Sequence, residues 1–196
     1  GLASGVVCIL ALGLGLLALQ YQAMDMALYS LLLTAAVLGF WVFNFPVRRL
    51  FLGDGGAYFL GFALAVLAVL LQANYNTVNA WAVLSVLAYP VVEVMYSILR
   101  RKLVNADPGQ PDRSHFHQYF QRSLQIKARK RGGAHGICVN SQAAPFLWLF
   151  AGVSVAMALY FDRQGWPAMG FVLTTVLYVV SYQVLGRYIA KNTDWE

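Results

Sequence analysis

Apolar runs of helical length recur along this chain, divided by shorter polar stretches. Six can be marked, at about residues 3–19, 27–43, 56–73, 80–99, 145–161 and 167–189. Each approaches the roughly 20 apolar residues that carry a helix across a hydrocarbon core. Aromatic residues near their ends (Tyr21, Tyr29, Trp41, Trp81, Trp148, Trp166) suit the membrane interface. Pro167 fits the first turn of a helix, where its missing N–H costs nothing. Pro90 lies inside the fourth run and predicts a kink there. The predicted fold is all-α: a polytopic transmembrane bundle of about six helices, a single integral-membrane domain over residues 1–196 with a long loop at 100–144.

Composition supports the membrane reading. The chain is 60% hydrophobic and only 11% charged, where a soluble domain carries about a quarter charged residues. The net charge of +6 raises the question of a nucleic-acid partner. The basic residues are confined to loops between apolar runs, however, which excludes a nucleic-acid face and fits membrane topology. Of the 14 Lys and Arg, 13 fall on one side of the six crossings; Arg163 is the exception. That side is expected to be cytoplasmic. Cys8 and Cys138 form no metal or redox pattern. The opening "GLASG" has neither an initiator Met nor the features of a signal peptide, so the chain reads as cut from a longer one.

Three polar features stand out against this background. In "RRLFLGDGGAYFLGF", residues 48–62, Asp54 is boxed by Gly53, Gly55 and Gly56 at the mouth of an apolar run. One reading is a helix N-cap, with the glycines allowing close packing. The other uses the same geometry as an anion site beside a carboxylate that holds Mg²⁺ against phosphates. In "PDRSHFHQ", residues 111–118, His115 and His117 are two apart and share a face if the segment is extended. Arg113 offers a fork suited to phosphate, and Asp112 is placed to orient a histidine. Zinc is disfavoured, because no third or fourth ligand lies at suitable spacing. Glu93 lies inside the fourth run, where a carboxylate is costly and faces a bundle interior or water; Arg100 on the same helical face offers it a structural ion pair. The basic "KARKR" at 127–131 reads as a topogenic, lipid-surface patch.

Together these stretches resemble one family. "NFPVRRLFLGDGGAYFLGF" is similar to the Gly-Asp-x-Gly-Ser signature of the polyprenyl-phosphate N-acetylhexosamine-1-phosphate transferases, the MraY- and WecA-like enzymes of glycosyltransferase family 4. "YPVVEVMYSILRRKL" followed by "PDRSHFHQ" resembles the family's Pro-x-x-Asp segment and its Pro-Asp-Arg-x-His-x-His-His loop, closest to the WecA-like branch. "GLASG" resembles the tail of an aspartate-bearing motif whose acidic residues would lie upstream. There are departures: the usual Ser is missing from "GDGGA", Gln118 replaces the last His, and Glu93 replaces an Asp.

The resemblance implies transfer of a sugar 1-phosphate from a UDP-N-acetylhexosamine to a membrane polyprenyl (undecaprenyl) phosphate, with release of UMP, initiating cell-envelope polysaccharide synthesis. It implies a plasma (inner) membrane location with a cytoplasmic active face, and it allows for a homodimer. It assigns Asp54 as a catalytic metal ligand for Mg²⁺, with Mn²⁺ the alternative ion. His115 and His117 become catalytic groups gripping the diphosphate, and Asn44, Gly53, Gly55, Gly56, Asp112, Arg113 and Gln118 line the substrate site. The rival expectations are a non-enzymatic polytopic protein, such as a transporter part or scaffold, and a degenerate, inactive family member. Polar clusters at one membrane face, rather than at the midplane, favour chemistry on a lipid headgroup.

Overall fold

A computed structural model describes residues 1–46, 49–103, 115–130 and 139–193. Among them every regular element is a helix: α1 (Leu2–Gln20), α2 (Met24–Asn44), α3 (Gly53–Asn74), α4 (Ala80–Val86), α5 (Ala88–Leu103), α6 (Phe116–Lys130), α7 (Val139–Arg163) and α8 (Pro167–Thr193). Among the described residues five helices (α1, α2, α3, α7 and α8) are long and apolar enough to cross a membrane, and α4 with α5, a pair bent by 79°, makes six if the pair counts as one broken span. The protein is a polytopic helical membrane protein.

The break in the sixth span has a local cause. Pro90 has no N–H to give the Val86 carbonyl, and its ring crowds that carbonyl one turn back. The helix stops at Val86 and restarts at Ala88, and the two halves meet at 79°. Sequence predicted a kink, and the chain forms a sharper break than a kinked helix would show. Pro167 opens α8 as expected.

α1 is the centre of the bundle. Two thirds of its residues are buried, 67% against 22% for α2, α3 and α8, and it touches α2, α3, α4 and α7. Leu10, Ala11, Leu14, Leu17 and Ala18 are shut away from the surface. In lipid there is no hydrophobic drive for helices to associate, so close van der Waals packing must supply the contact. The small residues of α1 provide it: Gly5 lies against Trp148, Gly13 against Val155 and Val86, and Gly15 against Ser30. Trp148 therefore packs against the start of α1, with its indole N–H donating to the Leu2 carbonyl at 3.3 Å. Leucines 28, 31 and 32 of α2 and phenylalanines 59 and 62 of α3 stay exposed, as a lipid-facing surface should.

Polar contacts sit at the two ends. At one, Tyr21 donates to Asp162 at 2.9 Å and Tyr75 donates to Asp25. The other end gathers Gly1, Asn44, Phe45, Leu50, Phe51 and α6. The stretch 100–144, expected as a loop, carries α6, whose Phe116 and Ser123 are buried while Arg122, Lys127, Arg129 and Lys130 are exposed. Lys127 lies over the Tyr188 ring at 5.8 Å, and Lys130 donates to Asn192. These contacts lay α6 along the foot of α8.

α7 and α8 approach backbone to backbone at Gly170, where an added Cβ would lie 3.0 Å from the Ala158 Cα. A backbone atom cannot rotate away. Gly170→Val should therefore lower thermal stability in detergent by about 1–3 kcal/mol, while Gly152→Ala, whose Cβ would meet open space, should be neutral. Melting curves of the two variants check this; equal midpoints would show the helices to be further apart.

Candidate functional site

The basic end of the bundle is organised by the first turn of α6. A helix start leaves four N–H groups without intrahelical partners. His115 stands just before the helix, and its own N–H donates to the Gln118 side-chain oxygen at 3.3 Å, half of a capping box. The His115 carbonyl accepts from the N–H groups of Gln118 at 2.9 Å and Tyr119 at 3.1 Å. The Phe116 N–H donates to Glu93 Oε1 of α5 at 3.1 Å. The Phe116 ring is driven into a core of Phe150 and Tyr178, at 5.6 and 5.0 Å, and Tyr119 stacks on Tyr182 at 4.6 Å.

This arrangement corrects one expectation. His115 and His117 lie at a helix start, not on an extended strand, because Phe116 between them is pulled into the aromatic core. Their rings nevertheless lie side by side, nearly parallel (12°) with centroids 5.7 Å apart. Gln118, expected to line the substrate site, has its side-chain oxygen engaged in the cap. Asp112 and Arg113 lie outside the described residues.

Burial, and behind it the charge of His115, holds His117 below the ordinary imidazole value of 6.5. His117 also reaches a cavity of about 470 Å³, with Asn44, Phe45, Leu50, Phe51, Gln121 and the Gly1–Ala3 opening around it. Trp41, Phe45 and Trp148 pack edge and face at 4.9 to 5.6 Å beside this wall. Asn44 donates its amide to the Leu50 carbonyl at 2.5 Å, so it shapes the turn as well as lining the cavity.

Just past Leu50 and Phe51 the chain enters α3. Gly53 takes φ +64°, a left-handed conformation that glycine adopts freely. Leu52 precedes the helix and offers no side-chain cap. Asp54 is in the first turn, exposed, and is not the N-cap that one sequence reading made it. Nothing would meet a Cβ at Gly55, whereas one at Gly56 would strike the Leu52 side chain. Among the described residues no three His, Cys, Asp or Glu side chains gather as a metal cage. One exposed carboxylate at a helix start still fits Mg²⁺, which takes one or two protein carboxylates and completes its shell with water and phosphate. Asp54 fits as such a single ligand.

Sequence reasoning missed the link from Glu93 to α6. Its signal was present, since a carboxylate inside an apolar run must find donors; the donors come from a segment more than twenty residues later. The cavity lining at Gln121 carried no sequence signal.

A polytopic helical membrane protein with a histidine-bearing polar site at one end of its bundle is the class that fold and site define. Residues 1–72 match the profile of glycosyl transferase family 4. It is 31% identical over 60% of its length to a probable undecaprenyl-phosphate N-acetylglucosaminyl 1-phosphate transferase of Bacillus subtilis, covering 33% of that protein. Similarity to the undecaprenyl-phosphate alpha-N-acetylglucosaminyl 1-phosphate transferase of Haemophilus influenzae is 25% over 90% of the chain and 49% of the relative. With the decaprenyl-phosphate N-acetylglucosaminephosphotransferase of Mycolicibacterium smegmatis it is 26% over 95% and 49%. The chain thus spans a third to a half of these relatives' lengths. No solved structure matches it.

The His117 shift has a definite sign. Folding favours the neutral ring, so its contribution to stability is full above the ordinary value near 6.5 and is lost as pH falls toward the lower folded value. Histidine ¹⁵N resonances of the nanodisc-embedded protein should show His117 titrating below the free imidazole. A midpoint at or above 6.5 would contradict the burial described here.

Proposed function

We propose that this chain is part of an enzyme that transfers a sugar 1-phosphate, of the N-acetylhexosamine type, from a UDP-sugar to a polyprenyl phosphate. The observation carrying this reading is the meeting of His117, Asn44 and the α3 turn on one cavity at one end of the bundle, in a chain whose relatives bear transferase names. An oxygen of the lipid phosphate attacks the sugar-bearing phosphorus of the UDP-sugar, the bond to the UMP phosphate breaks, and UMP leaves. All reacting groups are anions, so the site must lower their mutual repulsion. Asp54 would hold Mg²⁺, whose chemistry there is charge neutralisation between phosphates. His115 and His117 would grip the diphosphate from α6, and Arg113 would add a bidentate contact. Gly55 leaves the first turn of α3 open to a phosphate, and Gly53 and Gly56 shape it. Gln118 would support His115 through its side-chain oxygen, with its amide NH2 left for substrate.

The charge pattern supports a cytoplasmic active face of the plasma membrane. Arg163 lies at the end of α7 beside Asp162 and Tyr21, while α6 and the last turn of α5 hold basic residues at the opposite end. Single cysteines at Asn76 and Gln125 should therefore label from opposite sides of intact cells, with Gln125 reached only after permeabilisation. Labelling of both from outside would overturn the orientation.

The chemical reading is tested by Asp54→Asn in the full-length protein, assayed with radiolabelled UDP-N-acetylglucosamine, undecaprenyl phosphate and Mg²⁺. Loss of a metal ligand that costs about 3 kcal/mol in the transition state lowers the rate roughly a hundredfold, with expression and melting temperature unchanged. Near-normal turnover at limiting Mg²⁺ would leave Asp54 a helix-dipole partner only.

A further inference from the structure

Glu93 is the one acidic residue in the broken span, and its side chain is only 13% exposed. A carboxylate so placed is tolerated only where donors converge on it. Three do. The Tyr89 hydroxyl, one turn back on α5, bonds to it; the Phe116 N–H reaches Oε1 at 3.1 Å; and His115 Nδ1 lies 3.5 Å from the same oxygen. The Phe116 N–H belongs to the first turn of α6, so a membrane helix supplies the negative partner for another helix's positive end. The imidazole is drawn in the same way. With Nδ1 turned to the carboxylate, Nε2 is the nitrogen left for a ligand, the arrangement by which a carboxylate fixes a histidine's tautomer and aim.

We infer that Glu93 is a positioning residue: it fixes the ring and tautomer of His115 and, through the Phe116 N–H, sets the start of α6 that carries both histidines. Its kinetic consequence rests on the transferase reading; its structural consequence does not. A residue that merely anchored α6 would tolerate Gln, which keeps an oxygen for the Phe116 N–H. A positioning carboxylate would not, because the amide lacks the charge that favours hydrogen on Nδ1.

The test therefore uses Glu93→Gln, with Glu93→Ala beside it, in the full-length protein in nanodiscs. The first readout needs no substrate: histidine ¹⁵N spectra should show neutral His115 mainly as the Nδ1–H tautomer in the wild type. That preference should fall in Glu93→Gln and fall further in Glu93→Ala. The second readout is transfer kinetics with radiolabelled UDP-N-acetylglucosamine, where kcat/KM should drop roughly tenfold in Glu93→Gln. The double variant Glu93→Gln/His115→Ala should be no worse than His115→Ala alone. A wild-type tautomer pattern in Glu93→Gln, or losses that simply add in the double variant, would overturn the inference. Tautomer loss in a protein whose wild type transfers nothing would uphold Glu93 as the positioning group and instead remove the transferase reading.

Discussion

The break between α4 and α5 sets the geometry of the basic end. A helix in hydrocarbon normally runs straight through, because each backbone group has no partner but its own chain. Pro90 removes one such bond, and the span answers by turning through 79° at Leu87. That turn gives α5 its own direction, brings Glu93 to the start of α6, and lets the aromatic side chains of α5, α6 and α8 close on one another through Tyr96, Tyr119, Tyr178 and Tyr182. A straight fourth span would offer Glu93 no such meeting. The cost of the missing backbone bond is carried by side-chain contacts such as Ser85 Oγ, which donates to the Pro167 carbonyl at 2.8 Å.

The membrane spans were legible in the sequence because hydrocarbon thickness dictates their length and apolar character, and the chain has little freedom to hide either. Pro90 and Pro167 were legible for the same reason: their effect is local. α6 was not, since its polar face outweighs the few anchors, Phe116 and Ser123, that it buries, and a fifteen-residue amphipathic segment reads as a loop between spans. Glu93 was visible as an oddity, but its partners depend on the angle of a break, and no residue pattern encodes an angle. Arg100, in the same helix, was the nearer guess because helical spacing is all that sequence offers.

The candidate site divides along the same line. Asp54 among its glycines and the histidine pair were each readable as chemistry, since charge and conformational freedom are properties of single residues. The cavity that His117 shares with Asn44 and Phe51 was not readable, because it arises where three separate segments meet. Gln118 shows a role that sequence did not suggest: a residue chosen for its hydrogen-bonding capacity engages its side-chain oxygen with the backbone N–H of His115. A polar side chain three residues into a helix answers first to the donors beside it.

The two helix starts at this end are built differently, and the difference bears on where an anion can be held. At α6 the exposed positive end is already met: Glu93 takes the Phe116 N–H and Gln118 takes that of His115. Little of its dipole is left for a ligand, and α6 contributes through its side chains. At α3, Leu52 supplies no side-chain cap, Gly53 opens the turn with φ +64°, and the exposed carboxylate of Asp54 stands in the first turn. Helix-start N–H groups and a carboxylate at one turn favour opposite charges, so a bare phosphate would gain from the first and be repelled by the second. A divalent cation held by Asp54, as proposed above, would reconcile them by neutralising charge between carboxylate and phosphate. On that proposal the start of α3 would suit a phosphate that arrives with a metal, and the start of α6 would act through its side chains.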